Sequence, residues 1–228
     1  MDRSSKPRFS ILAIALLLLG LSLLILYLSI FSGRYPEPGL IAPWKLIGDP
    51  MARKIVWALR LPRIITALLA GAVLAASGFV FQMIFGNPLI EPGFLGVSQG
   101  AAFGAAAAII LNVSALWIIQ ITAGAGAFLG LFLTLLFARH MHYGGWILRM
   151  ILAGITSAAL LSSGIGMLKY IADPMDQLQD ITFWMLGGLS HIGWTHVTYL
   201  LPFSTVVLLI VFLYRWRLQI ISLGERTA

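Results

Sequence analysis

The stretch NPLIEPGFLGVSQGAAFGAAAA, residues 87–108, sets two prolines and one carboxylate ahead of a run of glycine and alanine. A residue that precedes proline disfavours the helical region, so Asn87 and Glu91 mark a break in the chain. The residues beyond the break are too small to fill a core by themselves but let helix backbones approach closely. Uncharged sequence lies on either side, from Ile64 to Gly86 and from Phe94 to Ala138. The stretch therefore predicts a tight turn between two membrane-spanning helices. Glu91 stands just before the second, where the positive end of a helix dipole favours a carboxylate.

Composition supports this reading. The 228 residues are 60% hydrophobic and 10% charged, with a mean hydropathy of +0.95, whereas a soluble domain is about a quarter charged. A helix needs roughly 20 apolar residues to cross the hydrocarbon, and it satisfies its own backbone while doing so. The apolar runs do not alternate, which excludes a β-barrel. The expected fold is an all-α, polytopic membrane helical bundle forming one domain over residues 1–228. Lack of cysteine removes disulfides and thiolate chemistry.

Six spans are expected, near 9–31, 64–86, 95–111, 115–138, 150–168 and 197–214. The basic start MDRSSKPRFS precedes an uncharged core, Phe9 to Phe31, too long for a signal peptide and read as an uncleaved first span. The polar LNVSA at 111–115 splits the longest run. With a cytoplasmic N-terminus, inner segments carry Arg3, Lys6 and Arg8, then Arg139 and Arg149, then Arg215, Arg217 and Arg226, as the positive-inside preference requires. The basic residues behind the net charge of +7 sit in tails and loops between the apolar runs and need no nucleic-acid partner.

One outer loop resists the rule: Arg34, Lys45, Arg53, Lys54, Arg60 and Arg63 face only Glu37 and Asp49 there. Either an acidic partner meets this face or the side chains snorkel to headgroups, the preferred reading for Arg53 and Lys54.

Several chemistries find no residues. There is no G-x-x-x-x-G-K-[ST] loop for ATP, no H-E-x-x-H and no His or carboxylate cluster at metal spacing. His140 and His142, beside Arg139, suit a headgroup-facing helix end. No nucleophile and base pair is visible, so no catalytic residue, metal ligand or cofactor is assigned. The spans hold no Asp, Glu, Lys or Arg away from their ends, which argues against an ion-coupled carrier.

The segment LRLPRIITALLAGAVLAASGFVFQMIFGNPLIEPGFLGVSQGAAFGA, residues 59–105, resembles the permease subunits of ABC importers for iron chelates and cobalamin. RMILAG at 149–154, FWMLGGLS at 183–190 and LQIISLGERTA at 218–228 extend the likeness over essentially the whole chain. The resemblance implies an inner-membrane channel of two permease copies, driven by cytoplasmic ATP-binding subunits and fed by a periplasmic or lipoprotein substrate-binding protein, with membrane lipid around it. By the same resemblance Arg60 and Arg63 meet acidic residues of the binding protein. Asn87, Pro88 and Leu89 lie at the cytoplasmic gate, the fifth span borders the path, and Leu223, Gly224 and Glu225 open the segment coupled to the ATPase. The expected cargo is a ferric siderophore or similar metal chelate, with cobalamin or haem as alternatives, and a secondary carrier or non-transporting membrane fragment as the rival of another class. Family members have about ten spans in two related halves, so the chain is expected to correspond to the first six and to stop inside the connector.

Overall fold

The computed structural model describes residues 11–35, 38–41, 48–88, 90–113 and 115–224, with residues 11 and 220–224 described by backbone alone. In order these form α1 (Ile11–Phe31), a hairpin of β1 (Ser32–Gly33) and β2 (Gly39–Leu40), α2 (Pro50–Ile55), a π-helical turn (Val56–Arg60), α3 (Leu61–Phe85), a 3-10 turn (Pro92–Leu95), α4 (Val97–Ile110), α5 (Leu116–His140), α6 (Trp146–Ile171), α7 (Gln177–Leu186) and α8 (Trp194–Gly224). The protein is an all-α polytopic helical bundle. Among the described residues, five stretches are long and apolar enough to cross a membrane: Leu12–Phe31, Pro50–Phe85, Leu116–His140, Trp146–Ile171 and Trp194–Gln219. The expected span at 95–111 is occupied by α4, whose 14 residues reach about 21 Å. The chain divides into two compact bodies, residues 1–72 with 189–207 and residues 73–188 with 208–228.

In the first body α1 presents apolar side chains outward along its length, with Leu12 and Leu17 each about two-thirds exposed, as lipid solvent permits. Its exit is fixed by the antiparallel pairing Ser32↔Leu40 and Gly33↔Gly39, and the Ile41 amide donates to the Phe31 carbonyl at 2.8 Å. The next helix begins with a proper cap. Asp49 Oδ1 accepts from the amides of Met51 at 2.8 Å and Ala52 at 3.3 Å, and Pro50 takes the first position, where no amide is needed.

The second body is organised by glycine. A Cβ on Gly100 would overlap the Gly126 carbonyl, one on Gly104 the Thr122 carbonyl, and one on Gly126 the Gly100 carbonyl. These small residues recur at four-residue spacing on α4 and α5, so the two backbones touch along a common seam. Two apolar clusters close the opposite ends of the antiparallel helices. One gathers Phe85, Ile90, Leu95, Ala138, Met150 and Ala153, and the other Ala106, Ile109, Ala172 and Ile181.

The LNVSA turn is real and well formed. Asn112 takes the left-handed conformation, φ 54°, tolerated best by glycine and asparagine. The Asn112 amide donates to the Ile109 carbonyl at 3.0 Å and the Val113 amide to the Ala108 carbonyl at 3.2 Å, which completes a Schellman cap. Gln177 Nε2 adds bonds to the Ile110 carbonyl at 3.2 Å and to Asn112 Oδ1 at 3.0 Å. Gln177 opens α7, a helix the sequence reading left inside a long outer segment.

A leucine at Gly100 must displace backbone and not the end of a flexible side chain. Gly100→Leu should therefore cost more than the about 1–3 kcal/mol typical of overpacking. Gly124→Ala, which meets nothing within 4 Å, should leave stability unchanged or raise it by up to about 1 kcal/mol through helix propensity. Thermal unfolding of the purified chain in detergent checks both, and equal midpoints for the two variants would contradict the seam.

Candidate functional site

The break at residues 86–96 is held by the protein around it. Gly86, φ 59°, ends α3, and the Ile90 amide donates to the Asn87 carbonyl at 3.3 Å across the turn. Pro88 is exposed and Asn87 half-buried; Leu89 lies outside the described residues. Ile90 and Leu95 anchor the segment, each only 4% exposed. The Thr134 hydroxyl of α5, itself fully buried, lies 2.8 Å from the Leu95 carbonyl and 3.0 Å from that of Gly130. Gly154 of α6 lies so close to the Phe94 carbonyl that a Cβ would overlap it, as does Gly130 beneath the carbonyl of Gly96. Irregular backbone survives at membrane depth only when it is buried this way or lines a cavity.

Glu91 departs from the expected arrangement. It precedes the 3-10 turn and makes no capping hydrogen bond, while the α-helix begins at Val97 behind Gly96, φ 71°. The intervening turn separates the carboxylate from the helix terminus it was expected to stabilise.

The LRLPR segment forms the second candidate site. Its Leu61 amide reaches back five residues to the Val56 carbonyl, the π spacing. Pro62 has no amide to give the next bond, to Trp57. That carbonyl instead accepts from the Trp194 indole Nε1 at 2.9 Å, and the two indoles meet at a tilt of 38° with centroids 5.3 Å apart. Arg60 Nη1 donates to the Ile30 carbonyl, in the last turn of α1, at 2.7 Å; Gly33 makes room, since a Cβ there would overlap the guanidinium. Arg63 Nη2 donates to the Ser190 carbonyl, and its buried Nε has no acceptor among the described residues. A cleft of about 580 Å³ opens between them, bordered by Ser32, Arg34, Tyr35, Arg60 and Arg63. Partial burial, and then the Asp49 carboxylate with its hydrogen bond, hold the Tyr35 phenol above its ordinary pKa. No ion pair neutralises the three arginines among the described residues.

Residues 12–228 match the FecCD transport family. The chain belongs to the FecCD transport family. It is 36% identical over 225 residues to the molybdate import system permease protein MolB of Haemophilus influenzae, covering 93% of this chain and 65% of that one. It is 37% identical over 214 residues to the vitamin B12 import system permease protein BtuC of Escherichia coli, covering 91% and 61%. A solved structure described as an inward-facing conformation of a metal-chelate type ABC transporter superposes with a TM-score of 0.75 at 35% identity, over 93% of this chain and 66% of that one. The chain thus spans somewhat under two thirds of the length of these relatives.

The structure places the residues singled out by family resemblance in different ways. Arg60 and Arg63 come together on one cleft, but each also spends a donor on a backbone carbonyl, a use the sequence did not reveal. Asn87 and Pro88 lie in the held turn. Helix α8 carries the backbone through Leu223, whose side chain is not described, and Gly224, and Glu225 lies outside the described residues. Sequence reasoning missed Trp194 and Thr134. Pro62 was a usable signal for the first, since a proline one turn into a helix frees a carbonyl that something must satisfy.

Trp194→Phe keeps an aromatic ring beside Trp57 but leaves that carbonyl without a donor. The variant should lose about 1–3 kcal/mol, read as a lower unfolding midpoint of the purified chain, and an unchanged midpoint would show that the bond contributes nothing.

Proposed function

We propose that this chain is a membrane-spanning permease component of a binding-protein-dependent ABC importer that carries a metal chelate, foremost a ferric siderophore, across the inner membrane. The observation that carries the reading is the family match over residues 12–228, joined to a turn anchored by the buried Ile90 and Leu95. The relatives named above import a molybdate oxyanion and vitamin B12, so their similarity supports the transport class and leaves cobalamin as the second reading of the cargo. ATP hydrolysis falls to separate cytoplasmic subunits, met by the segment from residue 218 through Leu223, Gly224 and Glu225. A second permease copy completes the channel, and the N-terminus is cytoplasmic.

In this reading Asn87, Pro88 and Leu89 form the cytoplasmic gate. Phe94, Leu95 and Gly96 are fastened to α5 and α6, so the turn follows those helices and does not flex alone. A two-state channel requires such rigid pieces, because packed elements shift between discrete arrangements.

Affinity isolation of the tagged chain from its native membrane tests the class. A protein carrying a G-x-x-x-x-G-K-[ST] loop should accompany it, and its absence, with chelate uptake indifferent to ATP depletion, would favour a secondary carrier. Uptake competition between a ferric siderophore and cobalamin then ranks the cargo.

The arginine cleft gives an independent test, because Arg34 is exposed and forms no backbone bond among the described residues. Arg34→Glu and Arg63→Glu should each slow association of the binding protein about tenfold at low salt and flatten its salt dependence. Arg34→Glu should leave the unfolding midpoint unchanged. Association rates that ignore both substitutions across a range of salt would sink the docking role.

A further inference from the structure

Where α5 ends and α6 begins, the fold leaves a pocket of about 340 Å³. Leu135, Ala138 and Arg139 of α5 and Trp146, Arg149 and Met150 of α6 line it. The floor is apolar: Ala138 and Met150 belong to the buried cluster around Phe85, and Trp146 stacks on Phe85 with centroids 5.0 Å apart while remaining 47% exposed. The rim carries two guanidinium groups, Arg139 exposed and Arg149 half-buried.

The charge at this rim is not balanced from within. Arg139 sits in the last turn of α5, where a helix dipole welcomes a cation. Arg149 has the opposite setting, in the first turn of α6 behind Trp146, where the dipole disfavours one. Among the described residues its Nη1 makes one long bond, to the Met141 carbonyl at 3.3 Å, and its Nε is buried without an acceptor. Among those residues neither arginine forms an ion pair. Two cations at the lip of an apolar pocket call for an anion that brings apolar substance with it.

We propose that this pocket seats an anionic phospholipid. The phosphate lies across Arg139 and Arg149, the indole of Trp146 meets the ester region, and an acyl chain runs along the exposed apolar side chains of α5 near Leu135. Tryptophan favours the membrane interface, and basic pockets between transmembrane helices bind anionic headgroups. A free inorganic anion would use the guanidinium groups but leave the apolar floor and the exposed Leu135 and Trp146 uncovered. The inference rests on the membrane fold and not on the importer reading.

The test reads Trp146 directly. The purified chain is placed in nanodiscs of phosphatidylcholine containing a small fraction of brominated phosphatidylglycerol or of brominated phosphatidylcholine, and fluorescence quenching of the protein is compared with that of Trp146→Phe. The Trp146 component should be quenched at roughly thirtyfold lower mole fraction by the anionic lipid, the scale expected of two basic groups near a headgroup. Arg139→Gln with Arg149→Gln should abolish the preference, and Arg215→Gln, on another helix, should not. Native mass spectrometry of the unmodified chain released from mixed lipid gives a second reading that needs no variant: phosphatidylglycerol should be retained over phosphatidylcholine. Equal quenching by the two headgroups, a preference that survives the double substitution, no selective retention, or displacement of the lipid by millimolar inorganic phosphate would each overturn the proposal.

Discussion

The contact of bare backbone with bare backbone along α4 and α5 constrains everything built around it. Gly100, Gly104, Gly126 and Gly130 admit carbonyl groups where any side chain would intrude, so the register of the two helices is fixed by sterics and held by dispersion. The seam does not stop at the end of α4. It continues into irregular backbone, where the carbonyl of Gly96 lies against Gly130, that of Leu95 accepts from Thr134, and that of Phe94 lies against Gly154. The turn at 86–96 is closed by short-range bonds such as Ile90 to Asn87 and Phe94 to Glu91, and its far end is held in place by α5 and α6. A short α4 follows from the same constraint, because residues spent on the turn cannot also extend the helix.

A second constraint, proline at position 62, organises the first body in a comparable way. Proline removes one amide, the helix widens to π spacing before it, and a carbonyl is left facing outward. Trp194, 137 residues away in sequence, supplies the missing donor, while the flanking arginines reach the exit of α1 and the turn before α8. One substitution-sensitive residue thus explains why LRLPR ties together segments that lie far apart in the chain.

The sequence made the long apolar helices legible because lipid imposes a single rule on all of them: roughly 20 residues without charge. The turns at 87–93 and 111–115 were legible because proline, glycine and asparagine carry their conformations with them. Helix α7 was not, since Gln177, Gln179, Asp180 and Thr182 interrupt its apolar residues and only Ile181 reaches full burial. Glu91 misled for a related reason: the rule about helix dipoles was sound, but a 3-10 turn inserted itself between the carboxylate and the helix. For the arginines, charge and exposure could be guessed from composition, whereas their acceptors are backbone carbonyls 30 and 127 residues distant that no local pattern announces.

Those carbonyls bear on how a docking surface could work in the proposed importer. A guanidinium offers five donors, so Arg60 can keep its bond to Ile30 and still present an edge to a carboxylate. Charge-assisted bonds of that kind are about twice as strong as neutral ones. An acidic partner therefore need not break the internal ties in order to bind; it adds to groups already held in place. Holding them in advance spares the partner the rotamer entropy of ordering long side chains. It also links the arginine cleft to the exit of α1 and the turn before α8, since each guanidinium is bonded to the backbone there.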